Sequence, residues 1–269
     1  MEFTDTERRA YRSLAMTDLY WFTRWMFANR RSYTWRQAAH HATVCGALMR
    51  VFQGECKRLI INIPPRYSKT EIIKNFVAWS LGHAPDSEFI YTSYSARLAS
   101  ASSWDIRDLV QEPEYRAMFP AVILRHDSQA KDEWRTTAGG IMYAVGSGGT
   151  ITGYGAGKHR EAFSGAIIID DPHKADEAKS DVIRQGVIDW FQITLESRRN
   201  SPNTPIILIM QRLHGGGARR AQVGARQMGD GTCPCWWRSS RCRRGETQRG
   251  PRPARWCRSR AAARSARRT

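Results

Sequence analysis

Residues 59–81 read LIINIPPRYSKTEIIKNFVAWSL. The first five are a short, mostly β-branched apolar run, the mark of a buried strand. From Ile72 onward the apolar residues fall at helical spacing, and between the two lies the loop Pro64-Pro65-Arg66-Tyr67-Ser68-Lys69-Thr70-Glu71. Strand, short loop and helix in that order gather backbone N–H groups, a helix N-terminus and an ammonium around one anionic site. A nucleoside triphosphate suits such a site, with Lys69 reaching the β- and γ-phosphates and the Thr70 hydroxyl ligating Mg2+. In the pattern G-x-x-x-x-G-K-[ST] two glycines allow unusual backbone geometry, yet Ile63 and Ser68 stand at those positions here. The same residues also read as an exposed Pro-Pro turn followed by an ordinary capped helix start.

Outward from this loop the chain alternates between short apolar runs and helical stretches. Strands are expected at 58–63, 88–93, 141–145, 165–170 and 205–210, and helices near 70–82, 95–110 and 176–198. An extra hairpin strand at 134–137 is expected to pair with 141–145 across Gly139-Gly140. The pattern is α/β, a mostly parallel sheet covered by helices on both faces. Ahead of it, residues 8–31 place Leu14, Trp21, Phe22, Trp25 and Met26 at spacings that suit a helix packed on a core. A second helical stretch, 35–52, contains Gln37, His40 and His41. Neighbouring histidines on a helix point in different directions, so they make poor joint metal ligands. Gln37 reads either as an adenine contact or as a solvated residue at a helix start.

The run Ala166-Ile167-Ile168-Ile169 leads into Asp170-Asp171-Pro172. At the carboxyl end of a sheet strand, one acid can hold a Mg2+ shell and the next can orient or deprotonate water. Asp-Asp-Pro also reads as a helix N-cap. Directly after the apolar run 205–209 comes Met210-Gln211-Arg212-Leu213-His214, where a glutamine and a fixed cation can sense a γ-phosphate. That segment also reads as a plain exit from a strand. The glycine-rich stretch 146–157 is expected to be a mobile loop, too rich in glycine for a packed connection.

Composition needs reading by region. The chain of 269 residues has a net charge of +17, but residues 215–269 hold 15 arginines against only Asp230 and Glu246, a net of +13. The other residues therefore carry only +4, so the overall charge is a property of the tail. That tail lacks Ile, Leu, Phe and Tyr and is expected to be disordered, having almost no aliphatic content to offset its ordering entropy. The abrupt change after His214, to Arg, Gly, Ala, Pro, Trp and Cys, fits a GC-rich gene read in the wrong frame from near Gly215. An Arg-rich nucleic-acid-binding arm is the competing reading. Cys233, Cys235, Cys242 and Cys257 lack the paired spacing of a zinc site. No apolar segment approaches a signal-peptide core or the ~20 residues of a membrane span, so a cytosolic chain with reduced thiols is expected.

Taken in order, these pieces resemble the ATPase domain of the large terminase subunit of tailed bacteriophages, the motor that packages DNA into proheads. The resemblance rests on INIPPRYSKTE at 61–71, GGIMYAVGSGGTITGYGAG at 139–157, AIIIDDPHKADEA at 166–178, Trp190 with Ser197-Arg198-Arg199, and IILIMQRLH at 206–214. It implies a P-loop NTPase core of RecA/ASCE-like type, using ATP and Mg2+. Pro65, Arg66, Tyr67, Ser68, Lys69 and Thr70 then resemble the nucleotide-binding loop. Thr70 and Asp170 resemble the metal side, Asp171 the catalytic carboxylate, and Gln211 and Arg212 the motif coupling hydrolysis to movement. Arg66, or an arginine of a neighbouring subunit, would complete the site. Prolines and an arginine before the lysine are usual in this family, whereas Ser68 replaces its usual glycine.

The resemblance further implies double-stranded DNA, a portal protein and a small terminase subunit as partners. It also implies a homo-oligomeric ring on the prohead, in the cytoplasm of a bacterial host and away from membranes. The expected organisation is a helical subdomain at 1–55, an ATPase core at 56–214 and the Arg-rich tail at 215–269. Family members continue into a metal-dependent nuclease, but the tail's two acids cannot build its acidic cluster, so no nuclease activity is expected of this chain. Two other classes fit the same motifs: a helicase-like or repair ATPase, and an inactive prophage remnant whose basic tail binds nucleic acid.

Overall fold

The computed structural model describes residues 4–31, 33, 35–174, 176–177, 180–211 and 232–236. Helix α1 (Asp5–Thr17) opens behind a capping box. The Thr4 hydroxyl accepts from the Glu7 N–H at 3.3 Å, and the Glu7 carboxylate accepts from the Thr4 N–H at 2.9 Å. Asp18 then ends α1 and starts α2 (Leu19–Arg30), its carboxylate accepting from the N–H groups of Tyr20 and Trp21 at 2.8 and 3.1 Å. The single helical stretch expected over 8–31 is therefore two helices, and the break changes which face is buried. Phe22, Trp25 and Met26 are fully packed, whereas Leu14, on the far side of the break, is 45% exposed. Helix α3 (Ala39–Phe52) completes the amino-terminal helices.

The sheet follows, with β1 (Arg58–Asn62), α4 (Lys69–His83), β2 (Glu88–Ser93), α5 (Ala96–Gln111), α6 (Pro113–Met118), β3 (Leu124–Gln129), β4 (Glu133–Thr136), β5 (Ile141–Gly146), β6 (Gly165–Asp170), α7 (Asp181–Trp190), β7 (Ile206–Met210) and β8 (Thr232–Trp236). The strand order is β3-β4-β5-β2-β6-β7-β1-β8. All pairs are parallel except β3·β4 and β4·β5, so the α/β class holds and the expected hairpin forms. Helix α6 and strand β3 were not expected. The stretch 176–198 is not one helix: α7 runs into a π-helical turn, Phe191–Leu195, and a 3-10 turn, Glu196–Arg198.

Period-two alternation divides the sheet's side chains between two cores. Leu59, Ile61, Phe89, Tyr91, Ala166, Ile168, Ile207 and Ile209 face α1–α6, in one core with Leu19, Phe22, Leu48, Ile72 and Phe76 that runs unbroken across residues 55 and 56. Ile90, Ile167, Ile169 and Ile206 face the other way, against Ile151, Ala156 and Leu195. Each such aliphatic side chain contributes about 1.5–3 kcal/mol when buried.

That second core corrects the expectation of a mobile loop at 146–157. Ile151 and Ala156 are buried, Tyr154 stacks on Tyr143 with ring centroids 4.0 Å apart, and the Trp190 indole N–H donates to the Gly149 carbonyl at 2.9 Å. Some of the loop's glycines serve close packing: Gly155 and Gly157 pass where a Cβ would collide with Asn200 and Thr204.

The tail is described only at 232–236, where β8 pairs with β1 in parallel. This departs from the expectation of disorder throughout. An open strand edge accepts any backbone, and Pro234, lacking an N–H, is tolerated on an outermost strand. Two compact units, 1–237 and 238–269, divide the chain, and all of the second lies outside the described residues. No helix among the described residues is long and apolar enough to cross a membrane.

Candidate functional site

The parallel register brings four strand ends into line. Ser93 pairs with Asp170, Asp170 with Ile209, and Asn62 with Met210. The loops leaving β1, β6 and β7 therefore open at the same edge, where open α/β sheets bind ligands.

The loop after β1 is anchored at both sides. The Ile63 N–H donates to the Met210 carbonyl at 3.1 Å, and His40 Nε2–H donates to the Tyr67 carbonyl at 3.3 Å. Arg66 and Ser68 adopt left-handed backbone, with φ of 66° and 60°. Ser68 occupies the position where the phosphate-loop pattern has its second glycine, so the sequence departs from the pattern while the backbone keeps the glycine conformation. A non-glycine residue there costs about 1 kcal/mol or more. Ser68 makes no side-chain cap, so the first N–H groups of α4 stay uncapped and face the loop. Pro65, Arg66 and Tyr67 are exposed.

Helix α4 begins at Lys69, which places Lys69 and Thr70 over the end of β6. The Lys69 ammonium, only 8% exposed, pairs with Asp171 Oδ2. The Thr70 hydroxyl donates to Asp170 Oδ2 at 3.0 Å. The other Asp171 oxygen, Oδ1, accepts from the Gln211 backbone N–H at 3.0 Å. Asp171 is also left-handed, at φ 47°, and its peptide is clamped on both sides. Its N–H donates to the Ile209 carbonyl at 2.8 Å, and its own carbonyl accepts from the Tyr94 N–H at 3.0 Å. A strained residue held by two neighbouring strands is the kind of feature that clusters at functional sites.

Asp170 is buried, and that burial raises its carboxyl above the usual range, against the opposing hydrogen bond from Tyr91 and the charge of Lys69. Its Oδ1 is buried without a hydrogen-bond partner. An orphaned carboxylate oxygen in a low-dielectric setting suits a cation, so the residues fit Mg2+. No group of three or more His, Cys, Asp or Glu that could hold a metal gathers among the described residues.

The remaining expected site residues fare differently. Gln37 is exposed and accepts from the Tyr20 hydroxyl at 3.4 Å. Arg212 lies outside the described residues. Glu71, in the first turn of α4 and not among the expected site residues, pairs with Arg31 at 3.0 Å and accepts from the Asn75 amide at 3.3 Å. The sequence reading missed two contributors. One is His40, which meets the loop backbone; the other is Tyr91, whose hydroxyl donates to Asp170 Oδ2 at 2.8 Å. The available signal was a tyrosine in the middle of an apolar strand, since a buried phenol needs a polar partner.

No family model matches this sequence, and no curated protein matches it. Among solved structures, the chain is similar to the HK97 bacteriophage large terminase, with 12% identity, a TM-score of 0.46 and 75% of this chain covered. The likeness spans 39% of that protein's length.

Proposed function

We propose that this chain is the ATP-hydrolysing, DNA-translocating domain of a phage-type packaging motor. The observation that carries the reading is the convergence of two distant motifs. Lys69 and Thr70, the first two residues of one helix, meet Asp171 and Asp170, the last residue of a neighbouring strand and its successor. The order of the sequence motifs, which resembles that of large terminases, supports the choice of this motor over other ATPases.

In this reading the uncapped N-terminus of α4 and the Lys69 ammonium receive the triphosphate, and Thr70 and Asp170 hold the metal. Mg2+, when bound, supplies neutralisation of the β- and γ-phosphate charge. Asp171 orients the attacking water and takes its proton. Asp171 is paired with Lys69, so a phosphate that draws the ammonium toward itself also frees the carboxylate. The Gln211 N–H on Asp171 Oδ1 ties the end of β7 to the same carboxylate, a route from chemistry to movement. Double-stranded DNA, a portal protein and a small terminase subunit are the proposed partners, and an arginine, Arg66 or one from a neighbouring subunit of a ring, completes the site.

The test is Mg2+-dependent ATP hydrolysis by the purified chain, measured with double-stranded DNA, single-stranded DNA, portal and small subunit. Stimulation by duplex DNA and the packaging components is expected. Stimulation by single-stranded DNA alone would favour a helicase-like enzyme, and absence of any turnover would remove the enzymatic reading.

A further inference from the structure

Tyr91 stands on β2, two residues before Ser93, the register partner of Asp170. Alternation therefore turns the Tyr91 ring to the same sheet face as the Asp170 carboxylate. The ring is fully buried, and a buried phenol needs a polar partner for its hydroxyl. Its hydroxyl donates to Asp170 Oδ2 at 2.8 Å, the oxygen that also accepts from Thr70 at 3.0 Å. Both donors thus fall on one oxygen, and the other, Oδ1, is buried with none.

A carboxylate with a single weak tether rotates and shares its donors between both oxygens. Two donors fixed to Oδ2, one from a sheet strand and one from a helix, stop that rotation and leave Oδ1 as the free ligand atom. An oxygen buried without a partner is unfavourable, and a bound cation offsets that cost. We propose that Tyr91 is the positioning residue for the metal-side carboxylate: it locks Asp170 through Oδ2 so that Oδ1 is presented to the divalent cation. The inference rests on the reading of this site as a Mg2+-nucleotide site. Thr70 cannot do this alone, because its hydroxyl is also the expected metal ligand and must turn toward the ion when one binds. Tyr91 then becomes the remaining tether.

The experiment is titration of Mn2+ into the protein–ADP complex, followed by loss of the free-ion electron paramagnetic resonance signal, for wild type and Tyr91→Phe. The substitution keeps the ring that fills the core and deletes only the hydroxyl. Expected is a roughly tenfold or greater weakening of Mn2+ binding, the usual effect of losing a partner of a metal ligand. ADP affinity without metal should stay within about twofold, a split that general loosening of the fold would not produce. In an Asp170→Asn background, Tyr91→Phe should add less than about a twofold effect, because its action passes through that carboxylate. Mn2+ affinity of Tyr91→Phe within about twofold of wild type, or full additivity with Asp170→Asn, overturns the role of Tyr91 and leaves the site reading standing. A wild-type complex that takes up no Mn2+ overturns both.

Discussion

The two ends of the parallel sheet are built from similar residues to opposite purposes. At the amino end, where the strands begin, charges are matched. Asp86 pairs with Arg160 at 2.7 Å and with Lys158 at 3.3 Å, Arg58 pairs with Glu196 at 2.8 Å, and Asn200 donates to Glu88 at 3.0 Å. Gly165 stands there at φ 130°, against the Glu88 backbone, where a Cβ would overlap the carbonyl. At the carboxyl end the backbone itself is strained. Asp170 has an orphaned buried oxygen, and three residues other than glycine, Arg66, Ser68 and Asp171, hold positive φ. Among the described residues these are the non-glycine positions at positive φ, and backbone strain of this kind clusters at functional sites.

Breaking the carboxyl end should abolish activity. Lys69→Ala removes the buried cation and is expected to lower ATP turnover at least about a hundredfold, with the circular dichroism spectrum retained. Turnover near wild type would take the loop out of the mechanism. Breaking the amino end should instead unfold the protein. Gly165→Ala forces a Cβ into the Glu88 backbone at a left-handed position and should cost roughly 3 kcal/mol in urea unfolding, with turnover per folded molecule unchanged. A loss below about 0.5 kcal/mol would show that this end is not rigid.

Acid should also act on the carboxyl end, through the histidines behind the loop. His41 is buried between Trp35, at 4.5 Å, and His40, at 4.0 Å. Burial, reinforced by His40, pushes its pKa down from 6.5 to about 4. The unfolded chain thus takes up a proton that the folded one refuses. Stability is whole above 6.5 and falls as the pH drops toward 4, by something on the order of 2 kcal/mol. His41→Phe should flatten that part of the pH–stability curve, and an unchanged slope would place the acid sensitivity elsewhere. The smallest effect expected is a gain. Ser68→Gly puts glycine where the backbone is already left-handed and should add about 0.5–1 kcal/mol, read as a higher melting temperature. A lower melting temperature would mean that the Ser68 hydroxyl makes a contact worth more than the strain it brings.

Much of this molecule was legible in the chain. The strands at 58–62, 88–93 and 165–170 and the helices at 69–83 and 96–111 follow from apolar runs and helical spacing that nothing in the tertiary structure opposes. Edge and connecting elements were less so. Strand β3 has no apolar pattern because it lies outermost and packs little, and the break at Asp18 is a side-chain cap inside an otherwise helical run. The glycines of 146–157 looked like slack because a sequence does not show the partners, Asn200 beside Gly155 and Thr204 beside Gly157, that need their missing side chains.

The sequence by itself determined the alternation of strand and helix, the lysine and threonine at a strand-to-helix loop, and the paired acids at a strand end, since each is a local pattern within a dozen residues. Only the tertiary structure decided that Lys69 meets Asp171, that Tyr91 and Thr70 share one oxygen of Asp170, and that Ser68 takes up the conformation of the glycine it replaces. Those contacts depend on strand order and register, which are set by the packing of both sheet faces at once, and no local run of residues encodes them.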